Sequence, residues 1–281
     1  MNGAVERLWP GRGARVEPLS GGITNRNFKV EVDGETYVLR IGGKDTELLG
    51  IDRSSEHDAT AVAAKLGIAP EVVRYEDGLL VTRFVEGEPG RIDSIEEVGR
   101  LLRRLHDGPP IPGRFDPFRV VEAYRATAIE HGISVPEAFE RAHETAGLVE
   151  RRRQGAPLRS CHNDLLAANF IGDGVQLWIV DWEYAGMGDP YFDLANFAVN
   201  NGLDALAERR LLVAYGADDP AGLVLMRFMS DFREAMWGVV QQALSELDVD
   251  FAAYAGTHFQ RLLTAAADPG HADALAALGG G

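Results

Sequence analysis

The sequence predicts an α+β fold of two unequal lobes, a small antiparallel β lobe with one helix and a larger, mainly helical lobe. Two patterns indicate this architecture. Up to residue 87 the chain alternates short apolar runs with Asp-Gly turns, which is typical of β-hairpins. Beyond Gly87, apolar residues recur at helical spacing instead. We therefore expect residues 1–87 to form the first lobe and residues 88–281 to form the second.

The first lobe contains two predicted hairpins with a predicted helix between them. Each hairpin has an Asp-Gly pair between two apolar runs: Asp33-Gly34 between residues 28–32 and 36–41, and Asp77-Gly78 between residues 72–75 and 79–84. Apolar residues at helical spacing predict a helix over residues 54–66, with a serine as its amino-terminal cap and Gly67 after its end.

In the second lobe, capping signals mark the starts of three predicted helices. Ser94 and Glu97 form a capping box, Pro117 follows Asp116, and Ser134 stands three residues before Glu137. Two later stretches, 222–246 and 251–267, are long enough for helices that wall a pocket. Ligands commonly bind between two such lobes, so we expect the functional site there.

Composition limits the classes of partner. The net charge of −15 argues against nucleic acid or an anionic membrane surface; it suits a cationic substrate, and equally well simple solubility. No apolar run is long enough to cross a bilayer, and residues 1–10 lack the pattern of a signal peptide, so we expect a cytoplasmic protein. The single cysteine, Cys161, excludes an internal disulfide and a cysteine-rich zinc site.

The segment from His162 to Asn169 and the later Asp181 carry the strongest functional signal. Phosphoryl transfer from ATP requires a carboxylate near the acceptor hydroxyl and oxygen ligands for Mg²⁺. Asp164 is the candidate base, and Asn169 and Asp181 are the candidate metal ligands. A predicted hairpin of residues 170–171 and 175–180 would bring Asn169 back beside Asp181. The alternative is that Asp164 and Asn169 are ordinary turn residues that cap the loop. His162 is expected to hold the backbone through hydrogen bonds.

Two further segments are candidates for binding the nucleotide. Gly21, Gly22, Thr24 and Asn25 lie between two predicted strands, where small residues let backbone amides approach phosphate oxygens; a plain Gly-Gly turn is the alternative. The segment lacks the Gly-Lys-Ser/Thr ending of a P-loop.

The next predicted strand carries Arg40 where kinases place a cation for the α and β phosphates, paired with a glutamate on the following helix. Here that glutamate would be Glu56. Arginine keeps the positive charge and adds a planar fork of donors. The alternative is an exposed Arg40, with Glu56 a charge in the first turn of a helix.

These motifs resemble those of the choline/ethanolamine kinase family, a branch of the aminoglycoside phosphotransferase-like group whose fold is similar to that of protein kinases. The resemblance covers nearly the whole chain, through LSGGITNRNF, VLRI, HNDLLAANF, IVDWEYAGMGDPYFDLAN and AMWGVVQQALSELDVDF. It implies a protein-kinase-like fold with ATP and Mg²⁺ as cofactors. It also implies that the hinge 81–85 faces adenine, through Arg83, Phe84 and Val85.

For the acceptor, the resemblance implies a quaternary ammonium held against aromatic faces and supported by acidic groups. Trp237 matches one of these aromatic residues. The chain has Val240 where relatives often carry a second tryptophan, and Asn200 where they often carry an acid. Candidate acceptor contacts are Asp164, Glu183, Tyr184, Asn200, Asp231 and Trp237, with Trp182 and Glu234 as further wall residues. The alternative is that the aromatic residues pack in the core and that the acidic residues are solvated charges on helices.

The predicted function is an ATP- and Mg²⁺-dependent O-phosphotransferase acting on a small cationic amino alcohol, choline or ethanolamine first. Thiamine-like cations and aminoglycosides are the alternative acceptors. A catalytically silent nucleotide-binding protein is the alternative from another class, and Arg40 in the lysine position is the feature that admits it. The sequence leaves the oligomeric state open.

Overall fold

The computed structural model describes residues 2–19, 24–44 and 46–277, and these form two lobes. The first lobe is a five-stranded antiparallel sheet in the order β1-β2-β3-β5-β4, accompanied by two helices. Its elements are α1 (Asn2–Leu8), β1 (Arg15–Leu19), β2 (Asn25–Val32), β3 (Glu35–Gly42), α2 (Arg53–Lys65), β4 (Val72–Glu76) and β5 (Leu79–Arg83).

The two predicted Asp-Gly hairpins are confirmed. Asp33 has φ 53° and Gly34 has φ 81°, and Asp77 and Gly78 have φ 48° and 76°. Positive φ at both central residues matches the right-handed twist of the flanking strands, which is why Asp-Gly occurs at such turns. The turns fix the register in which β2 pairs with β3 and β4 pairs with β5.

The helix of the first lobe starts one residue before the predicted range, and the expected serine cap is wrong. The carboxylate of Asp52 accepts the first free amide, from Ser55 N at 2.7 Å, so aspartate is the N-cap. The helix buries Glu56 on the side that faces the sheet.

The second lobe is mainly helical, as predicted, with two small sheets next to the site. One sheet has the order β6-β8-β9, and the other pairs β7 with β10. Its elements are β6 (Glu88–Pro89), α3 (Ile95–His106), α4 (Pro117–Glu130), α5 (Ala138–Arg153), β7 (Arg159–Cys161), β8 (Phe170–Gly172), β9 (Leu177–Ile179), β10 (Gly186–Gly188), α6 (Pro190–Asn200), α7 (Ala205–Tyr215), α8 (Pro220–Leu244), α9 (Phe251–Ala266) and α10 (Pro269–Ala277).

Two of the three predicted helix starts in this lobe are confirmed. Ser94 caps α3 by accepting from Glu97 N, and Asp116 caps α4 by accepting from Phe118 N. The third is wrong, because α5 begins only at Ala138 and exposed Ser134 lies in the preceding loop. The two long predicted helices are present as α8 and α9.

The helix α8 is the centre of the larger core and determines where the site lies. It packs against α4, α6, α9 and α10, and nearly all of its residues from Leu223 to Gln241 are buried. A smaller core under the first sheet includes Phe28, Val30, Leu39 and Val81. Among the helices of the described residues, none is both long and apolar enough to cross a membrane.

Candidate active site

The segment between β7 and β8 forms a loop whose end lies beside Asp181. The strands β8 and β9 pair through Phe170 and Ile179, and Val180 N donates to the carbonyl of Asn169 at 2.9 Å. Asp181 follows directly. The hairpin predicted from the sequence therefore brings Asn169 and Asp181 together, although β9 is shorter than the predicted 175–180.

Side chains of the helix α6 accept hydrogen bonds from the backbone amides of this loop and fix its position. The carboxylate of Asp193 accepts from the backbone amides of His162 at 2.8 Å and Asn163 at 2.7 Å, and Asn196 Oδ1 accepts from Leu165 N at 2.5 Å. Asn163 has φ 67°, a conformation that costs a non-glycine residue free energy. These buried hydrogen bonds offset that cost and fix the direction of the loop at Asp164.

His162 contacts the backbone on both sides of its ring. Nε2 lies 3.0 Å from the carbonyl of Val180, and Nδ1 accepts from Asp164 N at 3.2 Å. Burial lowers the pKa of His162, which keeps the imidazole neutral, with its proton on Nε2. The ring therefore connects the loop that carries Asp164 to the strand end before Asp181, which is the backbone role expected from the sequence.

Asp164 is largely buried, at 8% exposure, and its environment raises its pKa. Burial raises the pKa of this carboxyl to about 7, while the charge of Arg233 opposes the shift. Asn169 Nδ2 donates to the Asp164 carbonyl at 2.8 Å and lies 3.4 Å from its Oδ2. The carboxyl group is therefore positioned from both sides and titrates near neutral pH.

Asn169 and Asp181 have the donor atoms that a Mg²⁺ ion requires. The amide nitrogen of Asn169 is bound to Asp164, and in the described part of the chain its Oδ1 has no hydrogen-bond partner. Asp181 Oδ1 accepts from Arg40, while its Oδ2 has no partner among the same residues. Burial alone would raise the pKa of Asp181, but the charge and hydrogen bond of Arg40 outweigh it, so the pKa lies below its usual range. An ionised carboxylate and an amide oxygen fit a hard divalent cation.

Arg40 joins the first lobe to this group. Its Nη1 lies 2.5 Å from Glu56 Oε1 and 2.6 Å from Asp181 Oδ1. Burial would lower the pKa of Arg40, but the charges of Asp181, Glu56 and Glu183 together raise it above its ordinary value. Arg40 is therefore a permanent cation beside the proposed metal ligands, and the expected pairing with Glu56 is present.

A second arginine, Arg53, ties the same acidic groups to the first lobe. Its Nη1 donates to Glu56 Oε2 at 2.7 Å and to Glu183 Oε2 at 3.1 Å. Thr24 Oγ1 donates to the other oxygen of Glu183, and Asn25 Nδ2 lies 3.2 Å from its Oε2. The side chains of Thr24 and Asn25 thus point to Glu183, so contact with a phosphate would come from their backbone. Gly21 and Gly22 lie outside the described residues.

The predicted adenine hinge leaves the first sheet at the end of β5. Arg83 N donates to the Glu71 carbonyl at 2.8 Å, and its side chain pairs with Glu35 and Glu71 on the exposed face. Phe84 N donates to the carbonyl of Thr36 at 3.1 Å. Both amides are thus used inside the lobe, and Val85 has the one hinge amide without a partner among the described residues.

On the other side of Asp164 from Asn169, aromatic and charged side chains of α8 and α9 converge on Tyr184. Trp237 Nε1 donates to the Tyr184 hydroxyl at 3.2 Å. The guanidinium of Arg233 lies over the Tyr184 ring, 4.3 Å from its centroid, with Nη1 3.2 Å from Asp164 Oδ1. Glu234 accepts from Arg233 at 2.6 Å and from the hydroxyl of Tyr254 at 2.7 Å. Tyr184 and Trp237 are thus placed with Asp164.

The structure does not bring three other predicted acceptor residues into this group. Asp231 pairs with His258 at 2.8 Å and Arg261 at 3.3 Å, beside a separate cavity of about 560 Å³ between α8, α9 and α10. The carboxylate of Glu183 is directed to the first lobe. Asn200 ends α6, and among the described residues its buried Nδ2 has no hydrogen-bond partner.

Comparison with known proteins identifies the family. The model of the phosphotransferase enzyme family, APH, matches residues 15–226. A choline/ethanolamine kinase family protein from Mesorhizobium loti superposes with a TM-score of 0.83 at 32% identity, covering 98% of this chain and 95% of its own. The chain belongs to the phosphotransferase enzyme family, within its choline/ethanolamine kinase branch. The bilobal architecture described above is thus the protein-kinase-like fold that the sequence predicted.

Two curated relatives agree with this membership in a phosphotransferase family. Ethanolamine kinase 2 from Homo sapiens is 26% identical over 299 residues, covering 90% of this chain and 76% of its own. Protein LicA from Haemophilus influenzae is 27% identical over 208 residues, covering 69% of this chain. That alignment spans 61% of the length of LicA. The chain is a phosphotransferase of the choline/ethanolamine kinase type.

Five residues of the site were not predicted from the sequence: Arg53, Asp193, Asn196, Arg233 and Tyr254. Asp193 and Asn196 stand three residues apart in an otherwise apolar segment, and buried polar groups at that spacing share a helix face. That spacing was a usable signal for loop anchoring. Arg233 gave a weaker one, an arginine beside Glu234 in a mainly apolar stretch of α8.

Proposed function

We propose that this phosphotransferase uses ATP and Mg²⁺ to phosphorylate the hydroxyl of a small cationic amino alcohol, with choline and ethanolamine as the first candidates. One observation carries the proposal. Asp164 lies between Asn169, a residue able to bind metal, and the aromatic group around Tyr184 and Trp237. A base in that position can accept the proton of an alcohol held on one side while the phosphate lies on the other.

The nucleotide side is supported by the charges next to Asp181. Asn169 Oδ1 and Asp181 Oδ2 would hold Mg²⁺, which supplies positive charge against the phosphate oxygens during transfer. Arg40 stands beside them as a permanent cation, held in place by Glu56. Arginine offers the phosphates a planar set of donors in place of a lysine point charge. These residues thus perform the electrostatic work that phosphoryl transfer requires.

The acceptor side is supported by acidic and aromatic groups that lie together around Arg233. Asp164 and Glu234 are both buried and lie on either side of Arg233 Nη1. Tyr184 and Trp237 provide aromatic surface, and Tyr254 adds a hydroxyl bound to Glu234. Such a combination binds a small organic cation through charge and through cation–π contact. An aminoglycoside would require further acidic groups to pair its several ammonium groups, whereas Asp164 and Glu234 converge on one nitrogen position.

A catalytically silent protein is the less supported alternative. Burying several carboxylates close together costs free energy, because burial and the neighbouring negative charges both disfavour the ionised forms. A protein without catalytic activity would have no need of such a cluster. Asp164 and Glu183 both have pKa values raised to about 7, by burial first and by neighbouring carboxylates. A cluster so poised near neutral pH is typical of catalytic sites. The cytoplasmic location stays a prediction from the sequence.

Measuring ADP release against a panel of acceptors tests this proposal. Purified protein with ATP and Mg²⁺ should release ADP with ethanolamine or choline well above the rate without acceptor. Thiamine and a representative aminoglycoside should give lower kcat/KM. Omission of Mg²⁺ should abolish the reaction, because Asn169 and Asp181 themselves supply no positive charge to neutralise the phosphates. ADP release that no amino alcohol increases would refute the proposal.

A further inference from the structure

The side chain of Arg233 occupies a position that is chemically suited to a bound cation. Its Nη1 lies 3.2 Å from Asp164 Oδ1 and 2.6 Å from Glu234 Oε1, and the guanidinium carbon is 4.3 Å from the Tyr184 ring centroid. The side chain is 2% exposed. Two carboxylates and an aromatic face are the groups that bind cations in proteins. We call Asp164, Glu234 and Tyr184 the cation seat.

The guanidinium uses only one of its three nitrogens in the cation seat. Nη1 makes both carboxylate contacts, whereas Nε and Nη2 are buried and have no hydrogen-bond partner among the described residues. Nε and Nη2 form the edge with which arginine usually binds a carboxylate in a bidentate manner. Leaving two buried donors unpaired costs free energy. The cation seat therefore fits a single cationic nitrogen better than a planar guanidinium.

The cation seat is also correctly placed for an acceptor. Asp164 offers Oδ1 to the seat while its Oδ2 faces Asn169. A vicinal amino alcohol with its nitrogen at the place of Arg233 Nη1 has its hydroxyl only two carbons away. That distance keeps the hydroxyl beside the carboxyl group proposed as the base.

We propose that Arg233 is a specificity-determining residue of the acceptor pocket: Nη1 stands where the ammonium nitrogen of the acceptor binds, and the acceptor enters by displacing the guanidinium from the cation seat. This inference rests on the proposed function. The flexible arginine stem lets the head group leave while α8 stays in place. Separations of 2.6 and 3.2 Å suit N–H donors, whereas the methyl groups of a quaternary ammonium hold its nitrogen farther from any oxygen. The seat therefore selects ethanolamine over choline.

Displacement has a measurable consequence for affinity. A ligand whose binding place is free only part of the time binds more weakly, in proportion to the free fraction. Arg233→Met removes the occupant and fills similar volume with an apolar side chain. Calorimetry in the presence of ADP and Mg²⁺ should then show ethanolamine bound by Arg233→Met about tenfold more tightly than by the unmodified protein, as expected if the seat is free about a tenth of the time.

Matched variants distinguish displacement of the Arg233 guanidinium from a general change in the charge of the protein. Arg233→Lys keeps a competing ammonium in the pocket and should bind ethanolamine as weakly as the unmodified protein. Arg227→Met removes a 39% exposed arginine of the same helix, paired with Glu208, and should leave the affinity unchanged. The Kd for ADP should be the same in all variants, which shows that each has folded.

A small guanidinium probe tests the seat without any turnover. Methylguanidinium should bind Arg233→Met and compete there with ethanolamine, but should not bind the unmodified protein. If the unmodified protein phosphorylates no amino alcohol while methylguanidinium binds Arg233→Met, the proposed function fails and the cation seat stands. If Arg233→Met binds neither methylguanidinium nor ethanolamine more tightly than the unmodified protein, Arg233 is a fixed ion-pair partner and the inference is overturned.

A nuclear magnetic resonance titration of the unmodified protein covers the case in which Arg233→Met does not fold. The arginine Nε–H signal that is missing in Arg233→Lys belongs to Arg233. Saturating ethanolamine should move that signal and make its proton exchange rapidly with water, since the head group leaves a buried position. A signal that stays unmoved and protected at saturation overturns the inference.

Discussion

Arg40 Nη1 lies 2.6 Å from Asp181 Oδ1 and 2.5 Å from Glu56 Oε1, so a single nitrogen joins the sheet lobe, the helix α2 and the proposed metal-binding strand end. Glu56 is 3% exposed and Arg40 is 12% exposed, so the contact is largely shielded from water. Shielded charge pairs depend strongly on one another, because a partner left alone in the interior is costly. The site and the stability of the lobe junction are therefore coupled through Arg40.

Replacing Arg40 by methionine should weaken both stability and nucleotide binding. Glu56 would keep only Arg53, so we expect the free energy of unfolding to fall by about 3 kcal/mol. The KM for ATP should rise roughly tenfold, since a charged contact to phosphate is lost. Urea denaturation and steady-state kinetics measure the two effects. Arg15→Met, which removes a 71% exposed arginine of β1, is the control. Unchanged KM for ATP in Arg40→Met would show that Arg40 does not contact the nucleotide.

Two serines that look alike in the sequence should behave differently. Ser94 accepts from Glu97 N and caps α3, so Ser94→Ala should cost about 1 kcal/mol of unfolding free energy. Ser134 lies in the loop before α5, so Ser134→Ala should change it by less than about 0.5 kcal/mol. Urea denaturation of both variants makes the comparison. Equal losses would contradict the assignment of the α5 start.

The same contrast shows how far local sequence signals reach. The Asp-Gly turns, the Ser94 cap and the return of Asn169 to Asp181 depend on neighbours close along the chain, and the sequence predicted all of them. Ser134 carries the same pattern, yet its helix starts later. A capping pattern states what a residue can do, and packing of the surrounding chain decides whether it does so.

Contacts between segments far apart in the sequence could not be predicted, because they too depend on packing of the surrounding chain. Arg233 and Asp164 are 69 residues apart, and their contact depends on how α8 packs against the loop that carries Asp164. Asp231 and Glu234 both looked like acceptor contacts, being one turn apart on α8. The neighbouring α9 separates them, because it offers Tyr254 to Glu234 but His258 to Asp231. Which partner a helix residue meets follows from the tertiary arrangement and not from helical spacing alone.

Asp193→Asn should loosen the loop that carries Asp164. The asparagine retains one acceptor oxygen where the carboxylate accepts from His162 N, Asn163 N and His106 Nε2. Losing buried charge-assisted hydrogen bonds should cost roughly 3 kcal/mol of unfolding free energy. The kcat should fall as well, because the strained φ of Asn163 loses its support. Asp58→Asn, an exposed change on α2, is the control. Unchanged kcat in Asp193→Asn would contradict the positioning role.

Activity should depend on pH through Asp164. Burial raises its pKa to about 7, and the base must be ionised, so activity should be lost as pH falls through this range. The positive charge of bound Mg²⁺ would oppose this rise, which puts the midpoint of kcat/KM at or below about 7. Arg233→Met should move the midpoint to higher pH, since Arg233 lowers the pKa of Asp164. A profile that is flat from pH 5 to 8 is the contrary result.

We infer that Asp164 receives the acceptor proton while other residues hold the nucleotide. Asp164→Asn tests it most directly, by measuring kcat for ethanolamine and choline together with the Kd for ATP in Mg²⁺. We expect kcat to fall by about 10²- to 10⁴-fold, with the Kd for ATP within about twofold of the unmodified protein. Turnover that survives in Asp164→Asn at an undiminished rate would contradict the account.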